Sequence, residues 1–203
     1  MSNYFITGIG TNIGKTIVSA ILTEALEADY WKPIQAGDLE QSDSVKVENL
    51  ISNTKTKIHS ETYRLNQPMS PHAAAKLDNI IIDLNKITIP KTSNNLIIEG
   101  AGGLMVPLNN NELIIDLIQK LDAEVILVSQ NYLGSINHTL LSIESLKVRK
   151  LKVKGVIFNG NPNMETENYI LNYSGVNCLG RIDEHHQITK EIVLSYKNKF
   201  SFL

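Results

Sequence analysis

The sequence has a single cysteine, Cys178, so no internal disulfide can form, and such usage fits a reducing compartment. No apolar run approaches the roughly 20 residues needed to span a bilayer as a helix. Neither sign of charge dominates: 19 basic residues face 21 acidic ones, for a net charge of -2. That balance gives no general attraction to nucleic acid or to an anionic membrane. No cysteine–histidine set has zinc spacing; His72, His138 and the pair His185-His186 are expected to be structural or solvent-facing. Polar Met1-Ser2-Asn3 leads directly into a strand, so no secretory leader is expected. Internal repeats, low-complexity tracts and domain linkers are missing as well. What is present is 203 residues with 42% apolar content, enough for one sizeable core. The expectation is a soluble, cytoplasmic, single domain over residues 1–203.

Strands and helices alternate along the chain. "NYFITG" reads as a strand, and "GKTIVSAILTEALEAD" follows as a helix with Ile17, Val18, Ile21, Leu22, Ala25 and Leu26 on one face. "YWKPIQAG" reads as a second strand, with Pro33 holding Lys32 extended. Helices are expected at "SDSVKVENLISN", near Pro71, at "ELIIDLIQKLD" and at "GSINHTLLSIESLKV". Strands are expected at "NNLIIEGAGG", "AEVILVSQN", "KVKGVIFNG" and "NCLGRID", before a polar helical tail. The strands are nearly continuous apolar runs, as in sheets covered on both faces. This pattern predicts an α/β fold, a mostly parallel sheet flanked by helices. Ligands of such sheets bind at the carboxyl ends of strands. Attention therefore falls on the loops at 8–16, 32–43, 99–107, 129–138 and 159–163.

The first of these loops, "TGIGTNIGKT", lies between a strand and a helix. Backbone N–H groups at a helix start, aided by the helix dipole, cradle phosphate. Gly14 allows close approach, Lys15 reaches outer phosphates and the Thr16 hydroxyl suits Mg²⁺. A dinucleotide loop gives Lys15 no task, and no acid follows the second strand to hold a ribose. Glu99 ends the apolar run "NLIIE", a place for a metal-side carboxylate. Asp43 reads either as a second such carboxylate or as a helix N-cap beside Ser42 or Ser44. Lys32 reads either as a surface lysine or as a second cation beside Lys15, there to meet further negative charge.

Several motifs then occur in order. Five residues separate Gly8 from Gly14, and Lys15-Thr16 follows. "KPIQAG" fills 32–37, Ser42-Asp43 comes next, and "SPH" fills 70–72. "EGAGG" fills 99–103 with Pro107 beyond, "GSINH" fills 134–138, and Asn159 follows a later strand. Over nearly the whole chain, these resemble the dethiobiotin synthetase family. The resemblance implies a P-loop NTPase-like fold and a homodimer. It implies ATP as co-substrate, Mg²⁺, CO2 or bicarbonate, and 7,8-diaminopelargonate. By resemblance, Thr16, Asp43 and Glu99 hold Mg²⁺, and Lys15 and Lys32 stabilise a carbamate and the transferring phosphoryl group. Thr11 lines the phosphates with Asn12, Ile13, Gly14, Lys15, Thr16 and Ile17, beside Gly100, Ala101 and Gly102. Asn159, next to Gly160, bonds the adenine, and the stretch Ile182, Asp183, Glu184 to His185 closes over the base. Ala36 meets the diamine, and the partner subunit's "GSINH" loop, here Gly134, Ser135, Ile136 and Asn137, takes its distant carboxylate. The chain departs from the family where Asn12 replaces a frequent acid, where Ala36 replaces Ser or Thr, and where "GRIDEHH" has no proline. Lys15→Ala and Lys32→Ala are both expected to lose orders of magnitude in rate while remaining folded.

Two other classes fit parts of the pattern. A cobyrinate-type amidating ligase shares such a core but needs a glutaminase cysteine, and Cys178 has no such setting. A ParA/MinD-like switch ATPase usually has an earlier lysine in its phosphate loop, and none precedes Lys15. "KEIVLSYKNKFSFL" has a mild likeness to a membrane-seeking helix of that class.

Overall fold

The computed structural model describes residues 1–203. In its first half β1 (Asn3–Gly8) leads to α1 (Lys15–Leu26), β2 (Asp29–Trp31), β3 (Ile34–Ala36), α2 (Asp43–Leu50), β4 (Ile58–His59), β5 (Tyr63–Leu65) and α3 (Pro71–Leu77). The second half contains β6 (Leu96–Gly103), α4 (Ile114–Leu121), β7 (Glu124–Gln130), α5 (Ser135–Val148), β8 (Val153–Asn159), α6 (Met164–Ser174), β9 (Cys178–Ile182), α7 (Lys190–Ser195) and α8 (Lys197–Phe200).

Seven strands form one sheet in the order β4-β2-β6-β1-β7-β8-β9, and every pairing in it is parallel. Alternation along each strand divides the apolar residues between two faces. Phe5 and Ile98 pack on one face with Leu117 and Ile118 of α4. Tyr4, Ile6 and Ile97 pack on the other with Val18 and Leu22 of α1. A smaller cluster joins Leu127, Val156 and Phe158 to Ile143 of α5 and Ile170 of α6. No helix is long and apolar enough to cross a membrane.

The stretch "YWKPIQAG" is not one strand. β2 stops at Trp31, and β3 leaves the main sheet to pair with β5, Ile34 opposite Tyr63. Pro33 is the cause: it has no N–H for a ladder, and its carbonyl accepts instead from the N–H groups of Thr62 and Tyr63. Lys32 is thereby left at the break, at the carboxyl end of the sheet. Helix α6 arises where apolar periodicity is weak. The Asn163 side chain caps it by accepting from the Thr166 N–H, and Glu167 accepts from the Asn163 N–H in return. The polar tail forms two short helices; Val193 and Phe200 on them, and Tyr196 at their junction, are buried against the α1 side.

Candidate active site

The loop after β1 turns into α1 through Gly14, which holds φ +91° and packs against the Asn159 amide. Asn12 is also left-handed, at φ 58°, a conformation that asparagine tolerates better than most residues. No side chain caps α1 and no acid lies in its first turn, so its leading N–H groups remain for a ligand. The Lys15 ammonium folds back to donate to the Gly10 carbonyl at 2.8 Å, which gives the loop its shape. Burial pushes Lys15 down to about 8; Glu99 opposes this and Lys32 adds to it.

A polar cluster lies beside this cradle. β6 pairs with both β1 and β2, so Glu99 sits between the two strand ends. It is only 1% exposed. Its Oε1 accepts from the Thr16 hydroxyl at 2.9 Å and from the Lys32 ammonium at 3.0 Å. Its Oε2 accepts from the Tyr30 hydroxyl at 2.8 Å. Lys32 also donates to Asp43 Oδ2 at 2.5 Å. Lys32 is therefore no surface lysine, since it is 5% exposed. Burial works against its charge, yet Glu99 and Asp43 outweigh that and hold it above the ordinary lysine value. Burial likewise opposes the Asp43 carboxylate, and Lys32 reverses the effect and holds it low. Asp43 does not cap α2: Ser42 does, accepting from the Val45 N–H, while Asp43 is the first helical residue and is free to meet Lys32.

Lys15, Thr16, Lys32, Asp43 and Glu99 line one cavity of about 1060 Å³, with Tyr30 behind it in the core. Thr11, Asn12, Gly14, Lys15, Thr16 and Ile17 form one wall, and Lys32, Asp43, Glu99, Ala101 and Gly102 another. Ala36 lines it too, with Pro68, Met69, Ser70 and Pro71. Ile13 is buried beneath the loop, and Gly100 lies against the Phe5 ring, outside the wall. Asn159 stands at the end of β8, where its amide donates to the Ile13 carbonyl at 3.0 Å. Gly160 donates to the Ile182 carbonyl, and Asp183 and Glu184 are exposed beyond β9. Gly134, Ser135, Ile136 and Asn137 open α5 after β7, and none of them lines the cavity of their own chain.

No group of three or more His, Cys, Asp or Glu residues is placed to hold a metal. The donors present are two carboxylates and one hydroxyl. That hard-oxygen set fits an ion that takes its other oxygens from phosphate and water, as Mg²⁺ does.

The sequence matches the family described as "AAA domain" over residues 2–192. It is 56% identical to "ATP-dependent dethiobiotin synthetase BioD" of Christiangramia forsetii, over 98% of this chain and 95% of that one. The protein of the same name from Cytophaga hutchinsonii is 53% identical, over 98% and 97%. The chain belongs to the dethiobiotin synthetase family. Among solved structures it is similar to the cell division ATPase MinD of Pyrococcus furiosus, with TM-score 0.67, 13% identity and 100% and 99% of the two chains covered. A ParA family ATPase from Chlorobium tepidum gives TM-score 0.60 at 14% identity, over 99% and 95%. At such identity these two likenesses show the P-loop NTPase-like fold alone.

Within this dethiobiotin synthetase family fold, several site residues were not singled out by sequence reasoning. Tyr30 is the clearest. Strand alternation sets Tyr30 and Lys32 on one side, and the register Tyr30 to Ile97 brings that side to Glu99, so the signal was available. Gln35 donates to the Gly37 carbonyl and accepts from the Asp43 N–H, which ties β3 to the start of α2. Lys46, Asn49 and Leu50 of α2 line the cavity, as does Ile188 from the loop after β9. No local pattern announces Ile188; only the docking of the tail places it there. Of the histidines, His72 is exposed, His138 bonds Tyr132, and His185 bonds Tyr196.

Proposed function

We propose that this protein, acting as one unit over residues 1–203, closes the ureido ring of dethiobiotin in biotin biosynthesis. Its substrates are 7,8-diaminopelargonate, CO2 and ATP, and it releases ADP and phosphate. The observation that carries this is the placement of Lys15 and Lys32 with Asp43 and Glu99 around one strand-end cavity beside an uncapped helix start. Family membership supports it.

The chemistry asks little covalent work of side chains and much alignment and charge neutralisation. One amine of the diamine takes up CO2 as a carbamate, losing a proton. The carbamate oxygen then attacks the γ-phosphorus and ADP leaves. The second amine attacks the resulting carbonyl, the ring closes, and phosphate departs with its oxygen. Lys15 and the first N–H groups of α1 bind the phosphate chain. Lys32 spends two of its three N–H donors on Asp43 and Glu99, which leaves one donor for the carbamate. Thr16, Asp43 and Glu99 would hold Mg²⁺, which when bound neutralises phosphate charge. Thr11 and Asn12 complete the phosphate side, with Gly100, Ala101 and Gly102 beside them. Asn159 and Gly160, with the stretch 182–184, serve the adenine.

The active form proposed is a cytoplasmic homodimer. The partner's copy of the α5 start, through Asn137, takes the distant carboxylate of the diamine. Exposed Tyr132, Leu133, Leu141, Met164, Tyr169 and Tyr173 give α5, α6 and their approaches an apolar surface suited to a second copy.

The test is to mix the protein with the diamine, bicarbonate and Mg·ATP and follow the diamine by mass spectrometry. The expected product has gained one carbon and one oxygen and lost two hydrogens. ATP hydrolysis that ignores the diamine, with no such product, overturns the reading.

A further inference from the structure

The segment 183–189 has no regular secondary structure, yet it borders the phosphate cradle at both ends. At its start, Ile182 accepts from Gly160, next to the Asn159 that packs on Gly14. Near its end, Ile188 joins Lys15, Thr16 and Ile17 in the cavity wall. The hold on its first half comes from the tail. The Tyr196 hydroxyl accepts from the Asp183 N–H at 2.9 Å, donates to Asp183 Oδ2 at 3.2 Å and lies 2.9 Å from His185 Nε2. One hydroxyl has one proton and two lone pairs, so with His185 as donor this group is saturated. The His185 ring stands edge-on to the Tyr196 ring at 5.8 Å. Tyr196 itself is 6% exposed, in the same core cluster as Val18, Leu22 and Phe200. The tail beyond is fastened as well: Lys197 pairs with Glu27 at 3.0 Å, and the Tyr4 hydroxyl donates to the Leu203 carbonyl at 2.7 Å.

We propose that Tyr196 is a positioning residue whose hydroxyl holds the 183–188 segment beside the cradle, and so sets affinity for the nucleoside part of the nucleotide. This deepens the nucleotide reading given above and rests on it. The phosphates are served by the loop at 12–17, and the hydrogen bonds of the Tyr196 hydroxyl go to Asp183 and His185, not to that loop. The apolar residues that line the cavity divide between two core clusters: Ile34 and Ala36 pack with the cluster that holds Phe5 and Ile98. Ile17, Leu50 and Ile188 pack with the second, which holds Tyr196. Only the second depends on the segment that Tyr196 holds.

The experiment is titration calorimetry of the full chain and of Tyr196→Phe, with Mg·ATP and with inorganic tripolyphosphate. Phenylalanine keeps the ring in the core and removes three hydrogen bonds. The expected result is an ATP Kd raised about tenfold, as loss of net hydrogen bonding of this order implies, with the tripolyphosphate Kd within about twofold. In turnover, the KM for ATP rises by more than kcat falls. An unchanged ATP Kd overturns the proposal, and so does equal weakening of both ligands, which marks a merely structural role. Should Tyr196→Phe fail to fold by near-ultraviolet dichroism, His185→Phe removes one of the three bonds and should raise the ATP Kd selectively, about threefold. An unchanged value there overturns the proposal too. A wild-type protein that binds neither ligand sinks the nucleotide reading and this inference with it; one that binds both while the variant matches it sinks this inference alone.

Discussion

The Lys32 ammonium lies 3.0 Å from Glu99 Oε1, and both side chains are almost sealed from water. Removing either partner leaves a buried charge, which costs about 3–5 kcal/mol. Lys32→Met is therefore expected to lower the urea midpoint as well as to reduce kcat/KM by about 10²–10³-fold, the scale of losing one transition-state donor. The sequence leads to the expectation that Lys32→Ala loses activity while remaining folded; the burial of the pair adds a stability loss. The double variant Lys32→Met/Glu99→Gln should regain part of the stability and none of the activity. A single variant as stable as the parent removes the pair's structural role, and near-normal turnover removes its catalytic one.

The second prediction concerns protons. With Lys15 at about 8, half of these side chains are neutral at pH 8, and a bound phosphate chain favours the charged form. Mg·ATP binding at pH 8 should therefore take up about half a proton, falling towards zero by pH 6.5. Calorimetry in buffers of different ionisation enthalpy measures this directly, and Lys15→Arg should abolish it. The sign for stability follows from the same shift. The folded value lies below the unfolded one, so between about 8 and the ordinary 10.5 the unfolded chain binds more protons, and Lys15's contribution to stability rises with pH. No uptake at pH 8 defeats the assignment.

Tyr30→Phe deletes the only side-chain donor to Glu99 Oε2. Burial, with the charge of Glu99 beside it, pushes the Tyr30 phenol well above its ordinary value, so it donates across the working pH range. Loss of a buried hydrogen bond to a charged group costs about 1.5–3 kcal/mol. The expected outcome in urea denaturation is a lower midpoint with an unchanged slope. A midpoint equal to the parent's leaves Tyr30 without this role.

Much of this was legible in the chain, and the limits have physical causes. The strands carrying Phe5, Ile98, Val125 and Ile157 are apolar runs whose identity local pattern decides. Gly14-Lys15-Thr16 needs only its strand and helix to be read as a cradle. Lys32 and Asp43 stayed ambiguous because their meaning depends on Glu99, more than fifty residues on, and on a proline break that redirects the chain. Helix α6 was hidden because only Ile170 and two polar residues, Glu167 and Ser174, are buried along it, so no apolar stripe marks it. Tyr196 and Ile188 owe their places to a tail whose docking no local spacing encodes.

The last prediction separates the two substrate sides of the cavity. Gly37 holds φ +73° at the end of β3, and a Cβ built there would lie 2.5 Å from both Cα and Cβ of Pro68. Backbone cannot yield cheaply at that distance, and the positive φ adds strain of about 1–3 kcal/mol for an L side chain. Gly37→Ala should therefore displace Pro68 and Met69, which line the cavity together with Lys32 and Ala36, while the cradle on α1 keeps its shape. The expected outcome is a KM for the diamine raised at least about tenfold, with the Kd for Mg·ATP within about twofold. Calorimetry with each ligand reads the two sides separately. Equal loss of both would indicate general unfolding, and an unchanged diamine KM would show that this wall does not meet the diamine.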